Sequence, residues 1–86
     1  MELRFTNKFK KQFKKIPSSA QVSFEDRLNL FLVDPTNKIL RVHPLRGKFA
    51  GYWSINVTGD IRALYRKDGD TIIIFALIGT HSSLYG

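Results

Sequence analysis

The sequence predicts a mixed α+β fold, in which a two-helix hairpin packs on one face of a twisted, mainly antiparallel sheet of about four strands. Three observations predict the order β-α-α-β-β-β. The chain starts with a short alternating segment, continues with two segments of helical period, and ends with three apolar segments of period two. Because 86 residues support only one core, residues 1–86 are expected to form a single domain.

The first strand and the first helix follow from two short patterns. Residues 1–5 alternate apolar and polar side chains, which is the period of a half-buried strand. Thr6 or Asn7 can cap the helix that follows. The apolar residues of this helix recur at helical spacing and predict one buried face: Phe9, Phe13 and Ile16. Pro17 ends the helix.

A second helix is predicted between Pro17 and the turn at residues 34–37. Ser18 or Ser19 offers its N-cap, and the helix ends at Asp34 because a residue before proline disfavours helical backbone. The apolar residues at near-helical spacing are Val22, Leu28, Phe31 and Leu32. The two helices are expected to pair as a hairpin.

The second half of the chain predicts three strands. Apolar and polar residues alternate over residues 52–57 and again over 61–66. Asp68-Gly69 is a strong hairpin signal, and it leads into the apolar segment 72–78, which we expect to be a central strand. With both helices on one face of the sheet, the other face is left free, and the charged residues of the middle strand can point there.

The charge of the chain indicates a polyanionic partner, which we expect to be RNA. Fourteen Lys and Arg against seven Asp and Glu give a net charge of +7, which is typical of proteins that bind nucleic acids or anionic membranes. A merely soluble basic protein is the alternative. The residues predicted to bind RNA phosphates lie in the lysine-rich first helix and in the second half: Lys10, Lys11, Lys14, Arg46, Lys48 and Arg66.

Several classes of protein are excluded by what the sequence lacks. It has no cysteine, and its two histidines and seven acidic residues show no metal-ligand spacing. A glycine-rich phosphate loop, a nucleophile elbow and an apolar run of membrane-spanning length are also missing. We therefore expect a cytoplasmic protein without metal, cofactor or membrane contact, which either binds a partner or catalyses a metal-free reaction.

A metal-free ribonuclease needs few groups, because RNA supplies its own nucleophile, the 2′-hydroxyl. A base, an acid and cations for the charged transition state suffice. His81 follows the last strand and suits proton transfer, although a lone terminal histidine is often only a surface residue. Arg62 and Asp60 could form an ordinary hairpin ion pair, and His43 could be a hydrogen-bonded loop histidine. Tyr85 is either a hydrophobic latch or a ring that stacks on a base.

Three segments of the second half resemble the RelE/ParE superfamily of bacterial toxins from type II toxin–antitoxin systems, nearest to its YafQ-like branch. They are His43–Tyr52 (HPLRGKFAGY), Gly59–Arg66 (GDIRALYR) and Gly79–Gly86 (GTHSSLYG). The resemblance implies the β-α-α-β-β-β fold and a ribosome-dependent mRNA endonuclease that works without metal. It also implies a cognate antitoxin protein, the ribosome and mRNA as partners.

Residue roles follow from the same resemblance. It makes His81 the leading general acid or base and adds His43 and Asp60 to the site. Arg62 matches an arginine that binds the phosphate in many RelE-type enzymes, and Tyr85 matches an aromatic residue near the scissile bond. These residues are the predicted active site.

Three positions depart from the YafQ-like pattern and keep two alternatives open. Asn56 replaces a histidine, Ile61 a tryptophan and Leu77 an arginine. Asn56 and Leu77 favour the alternative of a catalytically degenerate member that binds an antitoxin. A ParE-like toxin that binds DNA gyrase without nuclease activity is the other alternative, since fold does not fix function. The terminal segment 79–86, which ParE-type chains usually lack, argues against it.

Overall fold

Ten short segments of regular structure are present in the computed structural model, which describes residues 1–86. The strands are β1 (Glu2–Phe5), β2 (His43–Pro44), β3 (Trp53–Asn56), β4 (Ile61–Asp68) and β5 (Ile72–Thr80). The helices are α1 (Asn7–Lys15), α2 (Ser18–Val33) and α3 (His81–Tyr85). Two single-turn 3₁₀ helices lie at Lys38–Leu40 and Gly47–Phe49.

The sheet has the strand order β1-β5-β4-β3-β2. β1 runs parallel to β5, and all other neighbours are antiparallel. The α+β class is confirmed, whereas the expected count of about four strands is one too low. The additional strand, β2, has two residues and contains Pro44, which an edge strand tolerates because it needs no hydrogen bond on its outer side. The additional helix, α3, has only five residues.

α1 forms as predicted and is tied to the part of β5 that β1 does not reach. The hydroxyl of Thr6 accepts a hydrogen bond from the amide of Phe9 at 3.0 Å, as an N-cap does. The same hydroxyl donates to the carbonyl oxygen of Ala76 at 2.8 Å. The side-chain oxygen of Gln12 accepts from the amide of Ile78 at 3.0 Å. α1 thus satisfies backbone groups at the free edge of β5.

α2 corrects two details of the sequence prediction. It starts directly after Pro17 without a side-chain cap, so neither predicted serine cap is used. Val22 and Leu32, which fit the helical spacing of the sequence, are 58% and 44% exposed and lie outside the core. The buried residues instead follow the period of one helix face: Ala20, Phe24 and Phe31. None of the helices is long and apolar enough to cross a membrane.

The core between the helices and the sheet is built around the ring of Phe75, which is 0% exposed. Five other rings lie with their centroids within 6.2 Å of it: Phe5, Phe9, Phe24, Phe31 and Tyr65. Most of these pairs are tilted or edge-to-face, and such pairs contribute about 0.5–1.5 kcal/mol each beyond the area they bury. A chain without disulfides is therefore stabilised mainly by aromatic packing.

Burial of Tyr65 makes stability sensitive to alkaline pH. Desolvation raises the pKa of its phenol to about 12, above the ordinary value of 10.0. Since the folded-state pKa is the higher one, this contribution is fully present below pH 10 and is lost as the pH rises towards 12. We expect the wild type to lose about 2 kcal/mol more unfolding free energy than Tyr65→Phe between pH 9 and pH 11.5. Urea titrations at both pH values measure this, and equal losses would contradict it.

Candidate active site

The face of the sheet that points away from α1 and α2, here called the open face, carries two rows of aligned residues. One row crosses four strands: His43, Ser54, Leu64 and Leu77. The next row crosses three strands: Asn56, Arg62 and Gly79. Residues opposite one another in a sheet share a face. Two of the predicted site residues, His43 and Arg62, therefore lie on the same face.

α3 folds back onto the open face and carries His81 at its first position. The hydroxyl of Thr80 caps this helix by accepting from the amide of Ser83 at 3.1 Å. The buried side chain of Leu84 lies 3.5 Å from the point where a Cβ on Gly79 would be. The residues after β5 thus form a helix, which the sequence analysis did not predict. This helix holds His81 at the edge of the open face with its side chain exposed.

Asp60 and His81 are brought together through the backbone. The amide of His81 donates to the carbonyl oxygen of Asp60 at 3.0 Å, which ties α3 to the turn between β3 and β4. The hydroxyl of Thr58 accepts from the amides of Ile61 at 3.0 Å and Asp60 at 3.3 Å, and so shapes that turn. The Asp60 carboxylate itself is exposed.

Arg62 does not form the hairpin ion pair with Asp60 that the sequence left open. Its Nη1 donates to the carbonyl oxygens of Thr58 at 3.1 Å and Gly59 at 3.2 Å. The guanidinium turns back over these oxygens, and the only ion pair of the structure joins Glu2 to Arg4. The ion-pair alternative is wrong, and the charge of Arg62 is positioned without being neutralised by a carboxylate.

His43 lies on the edge strand β2 with its side chain exposed. Its Nδ1 is 2.7 Å from the carbonyl oxygen of Arg41. A carbonyl oxygen can only accept, so Nδ1 carries the hydrogen and Nε2 of the neutral ring is the free proton acceptor. His43 is therefore both a hydrogen-bonded histidine and a group able to take a proton from a ligand on the open face.

Tyr85 belongs to a chain of ring contacts that joins α3 to the 3₁₀ turn at Gly47–Phe49. Its ring centroid lies 4.7 Å from that of His81 and 5.6 Å from that of Phe49. Phe49 in turn lies 6.0 Å from Tyr52, and the ammonium of Lys48 is 5.2 Å from the Phe49 ring. Neither Phe49 nor Tyr52 was assigned a role from the sequence, although both stand in the HPLRGKFAGY segment that carried the resemblance.

The lysines of α1 divide between two flanks of the helix. Lys10 and Lys14 border a groove of about 430 Å³ between α1 and α2, which is lined by Phe13, Phe24 and Leu28 among others. At about 100° per residue, Lys8 and Lys15 lie about 40–60° from Gln12 on the opposite flank, and Lys11 points outward between the two flanks.

The remaining predicted cations and the three departures have different positions. Arg46, Lys48 and Arg66 are exposed, and Arg66 lies on the open face opposite Ile74. Among the departures, Asn56 and Leu77 lie on the open face beside the site. Ile61 instead lies in the core and is 7% exposed.

Two further observations concern the polar groups of the open face. Ser54 is 1% exposed, and its hydroxyl has no hydrogen-bond partner. No three histidine or acidic side chains come together as a possible metal site. The polar groups of the candidate site are the imidazoles of His43 and His81, the carboxylate of Asp60, the amide of Asn56, the phenol of Tyr85 and several cationic side chains.

Close packing at Gly79 makes the position of α3 sensitive to a single methyl group. A Cβ there would lie 2.7 Å from the hydroxyl oxygen of Ser83, which is closer than van der Waals contact allows. We expect Gly79→Ala to displace α3 and to lower about tenfold the rate of the mRNA cleavage that the sequence resemblance predicts, because small displacements of reacting groups have large effects on rate. Gly59→Ala, where nothing lies within 4 Å, is the matched control.

The double variant Gly79→Ala/Ser83→Ala removes the oxygen that the new methyl group meets. Its rate of cleavage of ribosome-bound mRNA, measured alongside that of Gly79→Ala, is expected to be near that of the wild type. Equal loss in the single and double variants would contradict this account of the packing.

Comparison with solved structures shows the same fold in known toxins. The crystal structure of YafQ from E. coli strain BL21(DE3) matches with a TM-score of 0.84 at 21% identity, over 99% of this chain and 98% of that one. The YoeB/ParE toxin from Agrobacterium tumefaciens matches with a TM-score of 0.77 at 22% identity, over 94% and 99%. The E. coli DinJ-YafQ toxin-antitoxin complex matches with a TM-score of 0.82 at 22% identity, over 99% and 97%. Among curated proteins no sequence matches significantly.

The fold is that of the solved YafQ and YoeB/ParE toxins. The family model described as "Bacterial toxin of type II toxin-antitoxin system, YafQ" matches residues 1–86, the whole chain. The protein belongs to the YafQ family of type II toxin–antitoxin toxins. The family resemblance inferred from three sequence segments is confirmed.

Proposed function

We propose that this toxin is a ribosome-dependent mRNA endonuclease that inhibits translation by cleaving RNA without a metal ion. The observation that carries the proposal is the position of His81. Its imidazole is exposed at the edge of the open face, its backbone is fixed to Asp60 at 3.0 Å, and the charge of Arg62 lies on the same face. An exposed imidazole next to uncompensated positive charge suits proton transfer at a phosphodiester.

The proposed reaction is an in-line attack of the 2′-hydroxyl oxygen on the adjacent phosphorus. A base removes the 2′ proton, the bond from phosphorus to the 5′-oxygen breaks, and an acid protonates that oxygen, leaving a 2′,3′-cyclic phosphate and a 5′-hydroxyl. His81 takes one of these roles. His43, with Nε2 free, and Asp60 are the other proton-transfer groups. Arg62 stabilises the charge that develops on the phosphate, and Tyr85 contacts the neighbouring base.

We further propose that the toxin is bound by a cognate antitoxin. Two of the solved structures similar to it are complexes of this kind, the E. coli DinJ-YafQ complex and RelBE2 from Mycobacterium tuberculosis. The groove has apolar walls, with Lys10 and Lys14 on its α1 side and Glu25 on its α2 side. It therefore fits an amphipathic segment whose acidic residues face α1.

The function is tested with purified ribosomes that carry a defined mRNA. The wild-type toxin is expected to cleave the ribosome-bound mRNA at one position, which is mapped. It is expected to leave the same mRNA uncut when ribosomes are absent. Toxic expression without cleavage, together with inhibition of gyrase supercoiling, would instead establish the gyrase-binding alternative. Absence of both growth arrest and cleavage would establish a degenerate member.

We predict that lysines on one flank of α1 bind RNA phosphates. Lys15 lies about 60° from Gln12 around the helix, and Lys11 lies one turn before Lys15. Gln12 bonds to β5 at Ile78, so Lys15 is on the flank that adjoins the sheet edge next to the site. We expect Lys11→Gln/Lys15→Gln to weaken ribosome binding about tenfold and to reduce its dependence on salt concentration, since each phosphate contact contributes to the salt slope.

Lys10→Gln/Lys14→Gln is the matched control, because it also removes two positive charges four residues apart, but from the flank that borders the groove. Its effect on binding is expected to be smaller. Ribosome affinity measured from 50 to 300 mM salt, about the range in which phosphate contacts are screened, compares the two variants. Equal effects would mean that neither flank is closer to the RNA.

A further inference from the structure

We propose that Phe49 is a positioning residue that fixes the ring of Tyr85 and, through it, the imidazole of His81. This inference rests on the proposed function for its catalytic consequence, but the positioning itself is a property of the toxin alone. Nothing in the sequence pattern assigned a role to Phe49. In the structure, Phe49 lies in the turn at Gly47–Phe49 and contacts α3, and this position suggests its role.

Phe49 is held in a turn of defined shape. The turn at Gly47–Phe49 starts with Gly47, which has a φ of +66°, and is followed by Gly51, which has a φ of +92°. The amide of Ala50 donates to the carbonyl oxygen of Gly47 at 3.0 Å, and that of Tyr52 to the carbonyl oxygen of Phe49 at 3.0 Å. Backbone conformations of this kind are favourable for glycine and strained for other residues, so the turn presents the ring in one direction.

The ring of Phe49 is outside the core and contacts two other rings instead. It meets Tyr85 edge-on, with an interplanar angle of 85° at 5.6 Å, and Tyr52 at 83° and 6.0 Å. It is half-buried and is not among the residues packed against the core. Edge-to-face contacts of this geometry are favourable and directional. The contact therefore fixes the orientation of Tyr85 more than it stabilises the fold.

The ring of Tyr85 in turn restricts the orientation of the His81 imidazole. The two ring centroids are 4.7 Å apart, with the residues one helical turn apart on α3. The His81 imidazole makes no hydrogen bond to the protein, so its side-chain rotamer depends on this ring contact. α3 has five residues, too few for a helix that is stable by itself. Leu84 anchors its inner side on Gly79, and Phe49 anchors Tyr85 on its outer side.

The positioning is tested by NMR on the toxin without RNA. The imidazole protons of His81 sense the ring current of Tyr85, and they are identified by their absence in His81→Gln. The chain has only one other histidine, His43, which serves as the internal reference. Phe49→Ala is expected to move the His81 signals at least half as far as Tyr85→Ala does, and Phe49→Trp is expected to leave them near their wild-type positions.

A matched control separates this effect from general loosening of the fold. Phe13→Ala removes another half-buried ring, one that contacts Phe9 and Phe24 rather than Tyr85. It is expected to leave the His81 signals unchanged. If Phe49→Ala does not fold, Phe49→Leu keeps an apolar side chain in the turn while removing the ring. Unchanged His81 signals in a folded variant without the Phe49 ring would overturn the proposal.

The catalytic consequence is measured separately on ribosomes that carry mRNA. Loss of the Phe49 ring is expected to lower kcat about 10- to 100-fold with little change in KM, because misplacing a reacting group affects the chemical step. Phe49→Trp is expected to restore most of the rate. A wild type that cleaves nothing would overturn the proposed function while the NMR result still decides the positioning. A cleaving wild type with kcat unchanged in Phe49→Ala would overturn the catalytic part.

Discussion

Replacing His81 with glutamine is expected to lower the rate of mRNA cleavage by about 10²- to 10⁴-fold, the usual contribution of a general acid or base. Glutamine keeps hydrogen-bonding groups at a similar position and cannot transfer a proton at neutral pH. The side chain of His81 is exposed and lies against the ring of Tyr85, and the backbone bond to Asp60 is preserved in the variant. Thermal stability should therefore change little, since exposed substitutions usually have effects within about 0.5 kcal/mol.

Single-turnover cleavage of a ribosome-bound mRNA measures this effect, with thermal melting of both proteins alongside. Ser82→Ala is the matched control, because it alters the next exposed residue of α3 and no proposed proton-transfer group. Its rate should equal that of the wild type. Cleavage by His81→Gln within a few-fold of the wild-type rate would remove His81 from the mechanism.

Replacing Phe75 with alanine is expected to lower the free energy of unfolding by about 3–5 kcal/mol, as truncation of a fully buried aromatic residue does. Phe75 is 0% exposed and contacts rings from β1, α1, α2 and β4. Its loss therefore opens a cavity where four elements meet. Total stabilities of small domains are about 5–15 kcal/mol, so much of the protein could be unfolded at 37 °C.

Urea unfolding of the purified toxin measures the loss at Phe75. Ile39→Ala provides the comparison, since Ile39 is an apolar residue that is 55% exposed. Its expected effect is below about 1 kcal/mol. A loss below that value for Phe75→Ala would show that the aromatic cluster is not the main source of stability.

The parts of the fold that have a clear local sequence pattern could be predicted. The alternation of residues 1–5, the Thr6 cap and the Asp68-Gly69 turn each correspond to a feature of the structure. Each depends on neighbouring residues alone, so it can be seen in the sequence. The burial of Phe24 rather than Val22 could not be seen so easily, because both residues fit a near-helical spacing and the sheet beneath decides which face is covered.

Short elements were missed for a different reason. β2 consists of His43 and Pro44, and α3 spans only five residues, so neither is long enough to show a period. β2 exists because β3 offers a free edge, and α3 is held by Leu84 on Gly79 and by Tyr85 on Phe49. Both are products of tertiary contact rather than of local propensity.

The residues of the candidate site could be proposed from the sequence, but their geometry could not. The resemblance pointed to His81, His43 and Arg62, and the structure places two of these on aligned rows of one face. The bonds of Arg62 to the carbonyl oxygens of the turn depend on the conformation of residues 58–60, which spacing does not define. The division of the α1 lysines into two flanks required knowing where α2 and β5 lie.

The central claim is that the 2′-hydroxyl of the mRNA is the nucleophile and that protein side chains move the protons. It is tested most directly with a ribosome-bound mRNA in which one nucleotide, the one 5′ to the mapped cleavage site, is replaced by its 2′-deoxy analogue. The account predicts no cleavage at that site, and a 2′,3′-cyclic phosphate at the end of the unmodified RNA. Cleavage of the 2′-deoxy mRNA at the same position would contradict it.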